Sequence, residues 1–217
     1  MSYLTLIILT LIIGFGAQAW VNHALKKYAR VPNSQQLTGA NLAIGMLNYY
    51  GIAGVEVRMG GAGQDFFDPK TNSITLDPDV FNGTSITALA TACHEVGHAC
   101  QFAEDYSPMK IRTALVPAVN LASNAWIFLL IAGIALNAVG LVDLAIIMYA
   151  VAVAFSIITL PVEFNASNRA LEYMKTINLP SGEVAGSSNV LRACAFTYVA
   201  AMLTSVLQLL WLLQYRD

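Results

Sequence analysis

One run of residues in this sequence has the residue types and the spacing to bind a metal ion. His94-Glu95-Val96-Gly97-His98 places two imidazoles four residues apart. With about 3.6 residues per helical turn, both lie on one face of a helix and can bind the same ion. Imidazole nitrogens suit Zn2+, with one ion per chain, and a catalytic zinc site keeps one position open for water. Glu95 would take a proton from that water as it attacks a carbonyl.

The sequence predicts a helix over about residues 84–103 that carries this motif. Thr84 or Ser85 can cap its first turn, and its apolar residues continue to about Phe102. Cys93 and Cys100 flank the motif but project from other helix faces, so neither is predicted as a ligand. A third protein ligand must therefore come from another part of the chain.

Two residues outside the motif qualify as the third ligand. His23 ends the first apolar stretch beside Lys26 and Lys27, a position typical of a surface histidine. Glu163 directly follows the third apolar stretch, where a carboxylate is costly to bury without a partner. A zinc ion held by two neutral imidazoles would be such a partner, so we favour Glu163. The alternative is a solvated carboxylate at a helix end.

The composition is that of a membrane protein. Of 217 residues, 57% are hydrophobic and 11% are charged, against roughly a quarter charged in a soluble domain. Four apolar stretches of about 20 residues can each cross a bilayer as a helix, and they cover roughly residues 3–22, 117–137, 141–161 and 191–213. A formal net charge of -2 argues against a nucleic-acid partner, which would need phosphate neutralisation. The sequence therefore predicts that the four apolar stretches are surrounded by membrane lipid.

The basic residues predict how the chain is oriented. Ten of the 11 Lys and Arg residues fall between the first and second stretches, or between the third and the start of the fourth, and only Arg216 lies on the other side. Positively charged segments are retained in the cytoplasm, so the two segments with candidate ligands should face the cytoplasm, with both termini outside.

These assignments divide the chain into five parts. They are a first transmembrane helix (1–22), a cytoplasmic α+β segment with the histidine helix (23–116), transmembrane helices two and three (117–161), a cytoplasmic segment with the third ligand (162–190), and a fourth transmembrane helix with a short tail (191–217). Within the α+β segment we predict a helix over 34–50, a strand over 55–59 and a strand-turn-strand over 66–76.

The pairing of HEVGHACQ (94–101) with PVEFNASNRALEY (161–173) around two apolar spans resembles the neutral zinc metallopeptidase family, bacterial membrane enzymes of the YugP type. The likeness covers essentially the whole chain. It implies a gluzincin-like peptidase of the bacterial inner (plasma) membrane, with His94, His98 and Glu163 as zinc ligands and Glu95 as general base. The expected fold is a mainly α membrane protein, with four transmembrane helices and a small α+β zincin-like cytoplasmic catalytic domain.

Two more distant resemblances differ at informative positions. In membrane peptidases of the HtpX and CAAX-processing type, an aspartate follows the glutamate ligand by four residues, and here that position is Ser167. Asn165, Asn168 or Asp77 could replace that carboxylate in orienting a histidine, and the sequence does not choose among them.

Site-2 type intramembrane proteases share the HExGH pattern but take an aspartate from a later span. Asp143 is the acidic residue nearest the second and third spans besides Glu163, and the topology places it at the opposite membrane face. We therefore expect cleavage near the membrane surface.

Substrate contacts are predicted from general peptidase chemistry. Peptides commonly add a strand to an exposed sheet edge, and Ser73, Ile74, Thr75 and Leu76 form the candidate edge strand, with an ordinary sheet strand as the alternative. Arg169 could stabilise the oxyanion of the reaction, or it could be a simple juxtamembrane charge. Small residues in the spans allow an oligomer or a regulatory membrane partner, without indicating a number of subunits.

The leading hypothesis is a membrane-embedded zinc endopeptidase that hydrolyses peptide bonds of membrane-associated or misfolded proteins. The alternative is a non-enzymatic membrane scaffold or partner-binding protein stabilised by zinc. Glu95 argues against the scaffold, because a structural zinc site needs a fourth protein ligand and no open water position.

Overall fold

The computed structural model describes residues 2–216 and is mainly helical. Its elements in chain order are α1 (Tyr3–Tyr28), α2 (Gly39–Tyr49), β1 (Glu56–Met59), β2 (Phe66–Asp68), β3 (Ser73–Leu76), α3 (Pro78–Phe81), α4 (Ile86–Ala103), α5 (Ser107–Ala135), α6 (Val139–Thr176) and α7 (Ser181–Arg216). They form two compact units, which we call the helical unit (Met1–Ala17, Ser107–Pro161, Thr197–Asp217) and the α+β unit (Gln18–Tyr106, Val162–Phe196). Asp217, in the predicted C-terminal tail, lies outside the described residues.

Within residues 2–216, four helices, α1, α5, α6 and α7, are long and apolar enough to cross a membrane. The prediction of four such helices is confirmed, but three of them extend well past the apolar stretches. Helix α6 continues beyond 161 to Thr176, and α7 begins at Ser181 rather than near 191. The segment that follows the third apolar stretch is therefore mostly helix.

Aromatic and branched side chains pack the helical unit. Ile146, Tyr149 and Val153 of α6 form a buried cluster with Leu212 of α7. The ring of Trp126 on α5 lies 4.6 Å from that of Tyr149, a typical separation for a favourable aromatic pair. This cluster joins α5, α6 and α7.

The α+β unit contains a three-stranded sheet of order β1-β3-β2. Strand β3 pairs in parallel with β1 and antiparallel with β2, and all four of its residues are buried. The prediction that Ser73, Ile74, Thr75 and Leu76 form an edge strand is wrong, because β3 pairs with β2 on one side and with β1 on the other. The two polar residues of β3 are buried and hydrogen-bonded. The hydroxyl of Ser73 pairs with that of Thr71, and the hydroxyl of Thr75 accepts the Nε–H of Arg58. The edges are β1 and β2.

The histidine helix α4 starts and ends close to its predicted limits. Ser85 is its N-cap, and its hydroxyl accepts the backbone N–H of Ala88 at 3.1 Å. Helix α2, which packs against α4, begins later than predicted because Thr38 is its N-cap. Capping thus fixes both helix starts by satisfying backbone N–H groups that have no partner within the helix.

Helices α4 and α6 approach to backbone contact at Gly97. A Cβ atom at this position would lie 2.5 Å from the carbonyl oxygen of Ala166 and 2.8 Å from its Cα. Val162, Ala166 and Ala170 on the facing side of α6 are fully buried. Only glycine fits at position 97 while the two helices keep this spacing.

Asp65 lies just before β2 in a partly buried acidic environment. Its Oδ1 atom accepts the backbone N–H of Asp77 at 2.8 Å. Burial, together with the negative charges of Glu95 and Asp77, raises the pKa of Asp65 to about 6, although the hydrogen bond opposes the shift. The ionised carboxylate of Asp65 therefore destabilises the folded state.

Replacing Gly97 should separate α4 from α6. We expect Gly97→Ala to lower the free energy of unfolding by about 1–3 kcal/mol, the usual cost of overpacking a core. Thermal or denaturant unfolding of the detergent-purified protein measures this change. The matched control is Gly182→Ala on α7, where a Cβ meets nothing within 4 Å. Equal stability of the two variants would contradict the backbone contact of α4 with α6 at Gly97.

Asp65→Asn should stabilise the protein at neutral pH and not in acid. The folded-state pKa of Asp65 lies above its unfolded value, so the folded state loses stability as the pH rises through this range. We expect the advantage of Asp65→Asn above about pH 6 to vanish below about pH 4, where both side chains are neutral. Unfolding measured across this pH range tests the sign.

Asp68→Asn, at the end of β2, is the control for Asp65→Asn. Hydrogen bonds from Lys70 and Thr71 lower the pKa of Asp68, so its charge stabilises the fold. The stability of Asp68→Asn should therefore fall below that of the wild type at neutral pH. A change of the same sign in both variants would show that the assigned electrostatics are wrong.

Candidate metal centre

Side chains from α4 and α6 converge in the α+β unit. The Oε2 atom of Glu163 lies 3.2 Å from Nε2 of His94 and 3.7 Å from Nε2 of His98. The imidazole centroids are 4.7 Å apart and the ring planes nearly perpendicular. Glu163 is only 1% exposed. The structure thus brings together the three predicted ligands, whereas His23 is exposed on α1.

The carboxylates around His98 change its protonation. Burial alone would lower the pKa of His98, but the nearby carboxylates of Glu163 and Glu95 outweigh it and raise the pKa. The site therefore favours a positive charge, whether it is a proton or a metal ion.

The donor atoms lie close enough together to hold one metal ion. The imidazole nitrogens and the carboxylate oxygen all lie within 4.8 Å of one another. Tetrahedral zinc ligands at bond lengths of about 2.0–2.1 Å are about 3.3 Å apart, close to the two nitrogen–oxygen distances of this site. Among the described side chains, no further His, Cys, Asp or Glu joins the group. Three protein donors leave one of four tetrahedral positions open.

Glu95 is held by the main chain of β2. Its Oε2 atom accepts the backbone N–H of Phe67 at 3.0 Å, and Glu95 is itself buried. Because this N–H donates to Glu95, it points away from β3, toward the outer edge of the sheet. The Phe67 ring also packs against Phe102 near the end of α4, with centroids 5.7 Å apart. Sequence reasoning missed this link between the motif and the hairpin.

A neutral side chain contacts Nδ1 of each histidine, the imidazole nitrogen that is not directed at Glu163. Ser167 Oγ lies 3.2 Å from Nδ1 of His94, and Gln101 Oε1 lies 3.0 Å from Nδ1 of His98. Ser167 itself thus makes the contact to a histidine that was predicted for Asn165, Asn168 or Asp77. The other three side chains considered for it lie elsewhere: Asn165 contacts Gln101, Asn168 is exposed, and Asp77 caps α3 and accepts the N–H of Gly63.

Sequence reasoning also missed Gln101, although a signal for it exists. It follows His98 by three residues on α4, a spacing that places both side chains on one helix face. A glutamine on the buried face of a helix needs hydrogen-bond partners. This rule, applied to Gln101, would have predicted that its side chain joins a buried hydrogen-bond network.

Arg169 makes contacts that do not involve the three ligands. Two of its nitrogens donate to the two Glu104 oxygens, each at 2.7 Å, and its Nε donates to Asn165 at 2.9 Å. This pair joins the C-terminal end of α4 to α6. The proposed role of Arg169 in stabilising an oxyanion has no supporting contact.

Comparison with known proteins agrees with this arrangement. Residues 3–216 match the family described as "Putative neutral zinc metallopeptidase". The chain is 39% identical over 212 residues to "Putative membrane protease YugP" of Bacillus subtilis (strain 168), an alignment that covers 97% of this chain and 94% of that protein. No solved structure is significantly similar to it. On these matches, the chain belongs to the neutral zinc metallopeptidase family, as the resemblance of its two motifs predicted.

Proposed function

We propose that this chain is a membrane-embedded endopeptidase that binds one zinc ion through His94, His98 and Glu163. The observation that carries the proposal is the convergence of two imidazoles on a carboxylate that is 1% exposed. Family membership supports zinc as the metal. The three-donor group supports a catalytic over a structural role, because structural zinc sites have four protein ligands.

The proposed reaction assigns the proton transfer to Glu95. Zinc in this site would supply a Lewis acid that lowers the pKa of bound water to about 7. Glu95 takes a proton from the attacking water and delivers it to the departing amine. The N–H of Phe67 holds Oε2 of Glu95, which leaves Oε1 to accept the proton.

The edge strand β2 replaces β3 as the proposed place of substrate binding. The outer edge of β2 adjoins Glu95 through Phe67. Because the N–H of Phe67 already donates to Glu95, the main-chain carbonyl oxygen of this edge would accept a hydrogen bond from a peptide without requiring a particular sequence. Phe66 on β2 and Phe102 on α4 are 42% and 43% exposed. Such apolar surface beside the site suits apolar segments of membrane-associated or misfolded proteins.

The proposed location is the bacterial inner membrane, with the site on the cytoplasmic side. Four helices that can span a membrane and similarity to a protein named as a membrane protease support membrane insertion. Eight of the 11 Lys and Arg residues lie in the α+β unit, which supports the cytoplasmic side. Glu163 follows Pro161, the last residue of the helical unit on α6, by two positions, which supports cleavage near the membrane surface.

Zinc content tests the ligand set. We expect detergent-purified wild type to hold about one zinc per chain by mass spectrometry, and Glu163→Ala to lose it, because its carboxylate is one of only three protein donors. Glu172→Ala, which removes an exposed glutamate from the same helix, should keep the metal. Normal zinc content in Glu163→Ala, or none in wild type, would disprove the assigned site.

Cleavage of unfolded proteins and peptide mixtures tests the chemistry. Glu95→Gln should keep its zinc and its fold but lose about 100- to 10,000-fold in kcat, the usual contribution of a general base. Product analysis by mass spectrometry gives the rate, and zinc content with thermal unfolding controls for folding. If zinc-loaded wild type cleaves nothing, or Glu95→Gln cleaves as fast, the scaffold alternative replaces the peptidase.

A further inference from the structure

Gln101 is a fully buried polar side chain that the proposed proton transfer does not use. It is 0% exposed on α4. Its amide oxygen lies 3.0 Å from Nδ1 of His98, and its amide nitrogen donates to the carbonyl oxygen of Val162 at 2.7 Å and to Oδ1 of Asn165 at 3.0 Å. One amide therefore contacts a predicted zinc ligand on α4 and two residues that flank Glu163 on α6.

The partner on α6 determines which way this amide faces. A backbone carbonyl can only accept hydrogen bonds, so the nitrogen of the Gln101 amide must face Val162. The amide oxygen then faces His98, and an amide oxygen is also only an acceptor. Nδ1 of His98 must therefore carry a proton, and in the neutral imidazole the lone pair is on Nε2. Nε2 is the atom directed at Glu163.

The second histidine lacks this restriction. Nδ1 of His94 contacts the hydroxyl of Ser167, which can donate or accept. Nε2 of His94 lies 3.2 Å from Glu163, so without metal it can carry a proton and donate to the carboxylate. The two imidazoles are thus inequivalent: the hydrogen-bond network fixes the tautomer of His98 and leaves that of His94 free.

The same amide restrains the third ligand. Val162 and Asn165 lie immediately before and two residues after Glu163 on α6. Because both accept hydrogen bonds from Gln101, a shift of α6 along α4 would break bonds in a buried network. The orientation of His98 and the position of Glu163 are consequently linked through one side chain.

We propose that Gln101 is a positioning residue of the metal centre. Its amide holds His98 as the Nδ1–H tautomer, with the Nε2 lone pair directed at the ion, and it fixes Glu163 through the backbone of α6. The proposal rests on the proposed zinc function and adds to it the residue that prepares two of the three ligands before metal binds.

Imidazole nitrogen NMR on metal-free protein tests the tautomer directly. The chain has 3 histidines, so selective labelling gives three imidazoles, and His23→Gln simplifies their assignment. At a pH where the imidazoles are neutral, His98 of wild type should be the Nδ1–H tautomer. Gln101→Leu should convert it to a mixture, whereas Ser167→Ala should leave His98 unchanged.

Competition with a chromophoric chelator tests zinc binding in the same proteins. Gln101→Leu should weaken zinc affinity by about 10- to 100-fold, the usual effect of losing a partner that orients a ligand. Gln101→Glu keeps an acceptor for His98 but loses both donors to α6, so it should retain the Nδ1–H tautomer that Gln101→Leu loses. Cys93→Ala, at a buried position on another face of α4 than the histidines, is the matched control and should match wild type.

The outcomes separate this inference from the proposed function. If wild type binds zinc and Gln101→Leu, folded by circular dichroism, keeps both the His98 tautomer and the affinity, the positioning role is wrong and the zinc site stands. If wild type binds no zinc, the proposed function fails. The NMR result on metal-free protein then decides the tautomer assignment by itself.

Discussion

Burial of the Glu163 carboxylate is the constraint on which the site depends. A carboxylate that is 1% exposed is costly unless positive or hydrogen-bonding groups compensate it. The compensating groups are the imidazoles of α4, and they reach Glu163 only because α4 and α6 touch at Gly97 and Ala166. The glycine of the HEVGH run therefore belongs to the site as much as the histidines do, although it has no functional group.

The hydrogen-bond partners behind the histidines are neutral. An amide and a hydroxyl contact the Nδ1 atoms, where a carboxylate would make each imidazole a stronger donor to a metal. With two neutral imidazoles and one carboxylate, the protein donors carry a single negative charge. A divalent cation in this site would keep a net positive charge, which favours polarisation of a bound carbonyl or water.

Local sequence patterns predicted the parts of this fold that depend on local interactions. Helical periodicity with a capping serine located α4, and the apolar stretches located the four long helices. Glu163 could be proposed because its cost of burial is a property of one residue in its chain context. The central position of β3 in the sheet could not be predicted, since the parallel pairing of β1 with β3 joins segments that are separate in the sequence.

Contacts made where α4 crosses α6 were beyond sequence reasoning for a similar reason. Ser167 and Gln101 are ordinary helical residues until the crossing places them against Nδ1 atoms. The contact from Phe67 to Glu95 uses a backbone N–H, which has no residue-type signal at all. Side-chain chemistry is readable in a sequence, whereas main-chain donors and helix crossings are not.

This use of a backbone donor has a consequence for how such proteins can diverge. The N–H of residue 67 is present with any amino acid except proline, so the donor that anchors Glu95 does not depend on which side chain stands there. The ring of Phe67 is buried against Phe102, so only another apolar side chain fits there, and the carboxylate keeps its backbone donor. The packing of residue 67 against α4 and the anchoring of Glu95 are therefore separable, since the first depends on the side chain and the second on the main chain.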